Sequence, residues 1–129
     1  MKWIPILMAL LLLSGCAAQV QKEQSYRQIN MDEAIAMMEA ESDYIILDVR
    51  TPEEFSEKHI PGAINIANET IGSEEIPELP DKEQLILVYC RSGNRSKQAA
   101  ETLGALGYTN IVVFGGINDW PGEVVSGAE

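Results

Sequence analysis

One cysteine at the end of an apolar run, with two arginines close behind it, is where this sequence could do chemistry. Cys90 follows Leu85–Tyr89 directly and opens the segment Cys90-Arg91-Ser92-Gly93-Asn94-Arg95-Ser96, which leads into a helical pattern. A thiol between a strand end and a helix N-terminus meets unpaired backbone amides and the positive end of the helix dipole. Both favour thiolate over thiol and so lower the pKa. Gly93 lets the backbone curl so that its amides form a nest for an anion, and Arg91 and Arg95 add positive charge. Such a loop would hold a thiolate, a persulfide anion or a bound oxyanion. The competing reading, a small buried hydrophobe closing a strand, accounts for Cys90 but leaves Gly93 and the arginines without a role.

Four other polar residues lie where they could assist. His59 is the sole histidine, and a Cys-His pair is one way to activate a thiol. Its neighbours Ile60-Pro61-Gly62 are a turn signature, so His59 is read as shaping a loop. Asp48 and Arg50 end an apolar run. Arg50 is expected to pair with Glu54 and pin strand to helix, and Asp48 to brace the loop, since a carboxylate beside a thiolate would raise the thiol pKa. The pair Met37 and Met38 could suggest a soft-metal site, but helical spacing explains it as core.

The elements that must position these groups follow from periodicity. Tyr44–Leu47, Leu85–Tyr89 and Ile111–Phe114 are short continuous apolar runs, the pattern of parallel strands buried on both faces. Tyr26–Ile29 and Ile64–Ile66 fit shorter strands. Asn30 with Glu33 predicts a capping box, and Met31, Ala34, Ile35 and Met38 share one helix face. Thr51-Pro52-Glu53-Glu54 gives an N-cap, a proline at the first helical position and glutamate at the third. Residues 94 to 106 form a last helix that places Ala99, Ala100, Leu103 and Leu106 together, with Gly107 to end it. The acidic stretch from Glu69 to Glu83, with Pro77 and Pro80, reads as a solvated connection. Trp120 reads as a packing anchor. Strands alternating with helices predict an α/β fold with a mainly parallel central sheet and helices on both faces. Ligands of such sheets sit beyond the carboxyl ends of the strands.

The chain has 129 residues, one domain's worth, with 9 basic and 20 acidic side chains and a net charge of −11. That balance repels phosphate backbones and argues against nucleic acid as a partner. Two cysteines, Cys16 and Cys90, rule out a disulfide framework. The run Trp3–Leu13 would rise about 16 Å as a helix, roughly half of a ~30 Å hydrocarbon core, so it reads as a signal-peptide segment. Leu13-Ser14-Gly15-Cys16 resembles the lipobox of bacterial lipoproteins. Residues 1–15 are then expected to be removed, Cys16 to be lipidated, and residues 16–25 to tether a domain spanning 26–129. The expected location is extracytoplasmic, on a bacterial membrane through the N-terminal lipid. With Cys16 acylated, Cys90 would have no disulfide partner in a compartment where thiols are usually paired.

The motifs taken together resemble the rhodanese family of sulfurtransferases. Cys90 to Ser96 is similar to that family's active-site loop. Ile46-Leu47-Asp48-Val49-Arg50 with Glu54-Phe55 and His59-Ile60-Pro61-Gly62-Ala63 is similar to its other hallmark, and Gly115-Gly116 followed by Trp120 to its C-terminal signature. The resemblance covers roughly residues 26 to 125 and implies a rhodanese-like fold and a persulfide on Cys90. Arg91, Ser92, Gly93, Asn94, Arg95 and Ser96 would form the substrate cradle, with Asp48, Arg50, Glu54 and His59 as structural residues near it. It implies a small anionic donor such as thiosulfate or polysulfide, a thiol, cyanide or protein acceptor, and neither metal nor organic cofactor. Two alternatives stay open: a non-catalytic protein-binding module, and a cysteine-dependent phosphatase or arsenate reductase. The phosphatase relatives place five residues between cysteine and arginine, whereas Cys90 and Arg95 have four between them.

Overall fold

The computed structural model describes residues 25–72 and 74–127. The expected leader, the expected lipidation site Cys16 and nearly all of the expected tether therefore lie outside the described residues. Five strands, β1 (Arg27–Gln28), β2 (Tyr44–Asp48), β3 (Ile64–Asn65), β4 (Leu85–Cys90) and β5 (Ile111–Gly116), form one sheet in the order β1-β5-β4-β2-β3. Every pairing within it is parallel. The helices are α1 (Met31–Ala40), α2 (Pro52–Glu57) and α3 (Asn94–Ala105).

Alternation along the strands explains why both faces are covered. Ile86, Val88 and Cys90 pack with Ala99, Ala100 and Leu103 of α3. Leu87 and Tyr89 turn the other way and pack with Ala34 of α1, Phe114 and, at the margin, Phe55 of α2. The expected α/β architecture with helices on both faces is what the chain adopts. Met37 and Met38 belong to the second layer as partly buried core. Trp120 also packs there, and its Nε1–H donates to the Glu123 carbonyl at 2.9 Å.

The caps behave as local chemistry dictates, with one difference. Thr51 and Glu54 make the full reciprocal box at α2. At α1 the Asn30 side chain accepts from the Glu33 N–H at 2.8 Å, without the return bond. The acidic connection differs more from the expectation. Glu74, Glu75 and Glu78 are exposed, but Ile71, Ile76 and Leu79 are buried in the α3-side core. The Tyr108 hydroxyl donates to the Leu79 carbonyl. A sparse set of apolar residues without a period was enough to tie this segment down, because each needs only one pocket in an existing core.

The ends of β2 and β4 determine the site. Chain order runs outward from this pair in both directions, β2 to β3 on one side and β4 to β5 on the other, which makes their carboxyl ends the topological switch point where α/β sheets bind ligands. Asp48 and Cys90 close these two strands.

Candidate active site

Cys90 is the last residue of β4 and is almost wholly buried, at 1% exposure. The chain then turns through Arg91 and Ser92 into Gly93, whose φ of +123° is in the region that favours glycine. That turn brings the Gly93 N–H to 2.9 Å from Cys90 Sγ. The thiol can donate to Ser96 Oγ at 3.5 Å and to the Gly115 carbonyl at 3.9 Å. Ser96, fully buried in the first turn of α3, donates its own hydroxyl to the Gly93 carbonyl at 2.9 Å. Burial alone would push the thiol pKa up. Once the thiol proton leaves, the Ser96 hydroxyl can turn from the Gly93 carbonyl to the sulfur, and with the backbone amides of Ser96, Gly93 and Ser92 it outweighs burial and holds the pKa below the usual thiol value. The reactive anion therefore persists to lower pH than it would on a free cysteine.

The loop is also clamped from the side by β5. Register shifts between Val88 and Cys90 so that Cys90 faces Gly116, and the Asn118 N–H donates to the Arg91 carbonyl at 3.3 Å. A Cβ on Gly116 would lie 2.0 Å from that same carbonyl oxygen and 2.6 Å from the Ser92 nitrogen. Both are backbone atoms, so the loop would have to move to admit any side chain there. Gly116, seen in the sequence only as part of a signature, is thus what lets the cradle sit against the sheet.

The polar residues named from the sequence are distributed differently from the expected pairing. Arg50 does not pair with Glu54. It is buried against Asp48, with Nη2 at 2.7 Å and Nε at 3.1 Å from the carboxylate, while its backbone N–H donates to Asp48 Oδ1 at 2.8 Å. Arg50 Nη2 also donates to the Lys58 carbonyl at 2.7 Å, at the C-terminal end of α2. Asp48 braces this arginine and the backbone it starts, and the Asn65 side chain adds donors to the Asp48 and Arg50 carbonyls.

Glu54 instead takes Arg95, Nη1 to Oε1 at 2.6 Å and Nη2 to Oε2 at 3.0 Å. This two-pronged bond with Arg95 is the main cause holding the Glu54 carboxyl down at about 2, well below its ordinary value. Arg91 and Asn94 are exposed at the loop's outer edge. His59 is fully buried, with Nδ1 2.8 Å from the Phe55 carbonyl and its ring stacked on Phe55 at 3.7 Å between centroids. Its backbone bridges to Val125. Cys90 Sγ has its partners in Gly93, Ser96 and Gly115, so its activation comes from the loop and the first turn of α3.

Comparison with known proteins places this arrangement. Residues 30–123 match the family described as the rhodanese-like domain. The chain is 40% identical over 73 residues to the thiosulfate sulfurtransferase PspE of Escherichia coli (strain K12), covering 57% of this chain and 70% of that protein. It is 32% identical over 105 residues to the adenylyltransferase and sulfurtransferase uba4 of Ogataea parapolymorpha, covering 79% of this chain but 27% of that protein. A solved rhodanese with anions from E. coli matches with a TM-score of 0.60 at 37% identity, over 65% of this chain and 99% of that chain. With a parallel sheet, a cysteine at its switch point and a family match over most of its length, this chain belongs to the rhodanese-like domain family.

Proposed function

We propose that this protein is a sulfurtransferase that moves sulfane sulfur from an anionic donor to a nucleophilic acceptor through a persulfide on Cys90. The observation that carries this reading is the Gly93 N–H at 2.9 Å from a buried sulfur whose pKa is lowered. Relatives named as sulfurtransferases support it.

With thiosulfate, the Cys90 thiolate attacks the outer sulfur. The new bond is Cys90 Sγ–S, the S–S bond of the donor breaks, and sulfite leaves with the electron pair. The terminal persulfide sulfur keeps one negative charge. An acceptor such as cyanide or a thiolate then attacks that terminal sulfur, and the Cys90 thiolate departs with the pair it began with. The charge borne by the enzyme stays on sulfur throughout, so what the protein must supply is a fixed set of donors around an anion. Ser92, Gly93 and Ser96 supply the amides, Ser96 its hydroxyl, and Arg91, Asn94 and Arg95 line the approach.

Because sulfite leaves before the acceptor reacts, initial rates with thiosulfate and cyanide both varied should give parallel double-reciprocal lines. Intersecting lines would mean a ternary complex and would exclude the free persulfide enzyme.

We further propose that the domain is held on a membrane face by acylation of Cys16. The supporting features are the apolar run Trp3–Leu13 and the small residues before the cysteine. One acyl chain anchors only marginally and several anchor stably, since each buried CH₂ contributes about 0.8 kcal/mol. Expressed in a bacterium fed labelled palmitate, the protein should take up label that Cys16→Ser does not; equal label in both would refute the anchor.

A further inference from the structure

The Arg95–Glu54 pair joins elements from opposite sides of the sheet. Glu54 belongs to α2, which packs through Phe55 on the α1 side, and Arg95 belongs to the first turn of α3 on the other. The pair therefore crosses the carboxyl edge of the sheet, where Cys90 ends β4. Arg95 senses the Cys90 charge, yet the strongest influence on it is Glu54. Both guanidinium nitrogens at its tip are committed, and the two side chains are 28% and 25% exposed. An anion arriving at Cys90 thus meets a cation already neutralised by a carboxylate. Glu54 is itself locked, because Oε1 also accepts from the Thr51 N–H at 3.3 Å and the Thr51 hydroxyl at 3.2 Å.

We propose that Glu54 is a positioning residue that sets the affinity for the anionic sulfur donor by holding Arg95, so that a bound donor must draw the guanidinium from Glu54 or share it. This rests on the Cys90 reading given above. The capping box makes Glu54 a clean place to test it. Glu54→Gln keeps an oxygen to accept from Thr51, a role glutamine fills as well as glutamate, while removing the charge that holds Arg95. Exposed or half-exposed ion pairs contribute up to about 1 kcal/mol, so the change in donor affinity should be about two- to fivefold.

The experiment is a double-mutant cycle on wild type, Glu54→Gln, Arg95→Ala and the double variant, with thiosulfate as donor and cyanide as acceptor. Glu54→Gln should lower the thiosulfate KM about two- to fivefold, with a smaller change in kcat, and should have almost no effect once Arg95 is alanine. An unchanged or raised KM overturns the proposal. An equal fall in the Arg95→Ala background also overturns it, since Glu54 would then act only as a repelling charge. The same four combinations in a Cys90→Ser background, with thiosulfate binding followed by NMR on the amides of residues 91–96, separate this proposal from the persulfide reading. If wild type transfers no sulfur, the Cys90 reading fails. The binding cycle still decides whether Glu54 governs the anion through Arg95.

Discussion

Cys90→Ser should lose sulfur transfer altogether while the protein unfolds at nearly the same denaturant concentration as wild type. The hydroxyl is close in size to the thiol and falls in the same nest, with Gly93 N–H and Ser96 Oγ as hydrogen-bond partners. The close contact to the Gly93 N–H therefore survives the change, the weak 3.9 Å contact to the Gly115 carbonyl is the one lost, and no cavity of consequence opens. The chemistry does not survive. At neutral pH a serine hydroxyl has no counterpart to a thiolate stabilised below its ordinary pKa, and oxygen does not form the sulfur-sulfur bond on which the two-step transfer depends. Transfer rates with thiosulfate and cyanide, alongside urea denaturation, check both halves. Residual activity near that of wild type would move the nucleophile elsewhere, and a collapse in stability would make the loss of activity uninformative.

Asp48→Asn should be the most destabilising of the conservative changes near the site. Asp48 is fully buried and Arg50 is 3% exposed, with the bridge at 2.7 Å. Asparagine preserves the shape and can still accept from the Arg50 N–H. Its amide nitrogen, however, would face guanidinium donors that now have a carboxylate oxygen. Removing one partner of a buried pair leaves the other charge uncompensated and costs about 3–5 kcal/mol, a large part of the ~5–15 kcal/mol by which a domain is stable. The Lys58 carbonyl at 2.7 Å is a single neutral acceptor and does not replace the carboxylate. Urea denaturation with an unchanged slope and a strongly lowered midpoint is the expected result. A change below about 0.5 kcal/mol, the range of ordinary surface substitutions, would show that the bridge is not what secures the ends of β2 and α2.

The pairs Arg50–Asp48 and Arg95–Glu54 also show where the sequence stops being informative. The Cys90 loop could be read because its parts are consecutive: a strand end, a glycine, a helix start and the amides between them follow from local chain chemistry alone. The Thr51–Glu54 box was readable for the same reason. Partner choice was not. Arg50 stands closer in the chain to both Asp48 and Glu54 than Arg95 does, and nothing local says that Glu54 will instead meet a residue 41 positions away. Only the crossing of α2 and α3 over the sheet edge decides it. The same holds for Gly116. Its φ places no demand on glycine, and its need appears only when the Arg91 carbonyl is seen lying where a side chain would be. Ile71, Ile76 and Leu79 were hidden by the acidic residues around them, since isolated anchors leave no periodic signal.

His59 illustrates the opposite case. A lone histidine in a chain with a reactive cysteine invites a catalytic pair. The turn signature beside it pointed instead to structure, and the ring is stacked on Phe55 and bonded to that residue's carbonyl in the interior. The thiol is served by backbone amides and one serine. Such donors are already oriented before a substrate arrives, which is the property that makes a fixed cradle effective for an anion.

The most direct test is the mass of the intact protein before thiosulfate, after it, and after cyanide is added. One sulfur atom, about 32 Da, should be gained with thiosulfate, lost with cyanide, and never acquired by Cys90→Ser, as a covalent intermediate on this residue requires. A protein with a free, reduced Cys90 that transfers sulfur at full rate and yet gains no mass, or an adduct that forms equally on Cys90→Ser, would contradict the persulfide on Cys90.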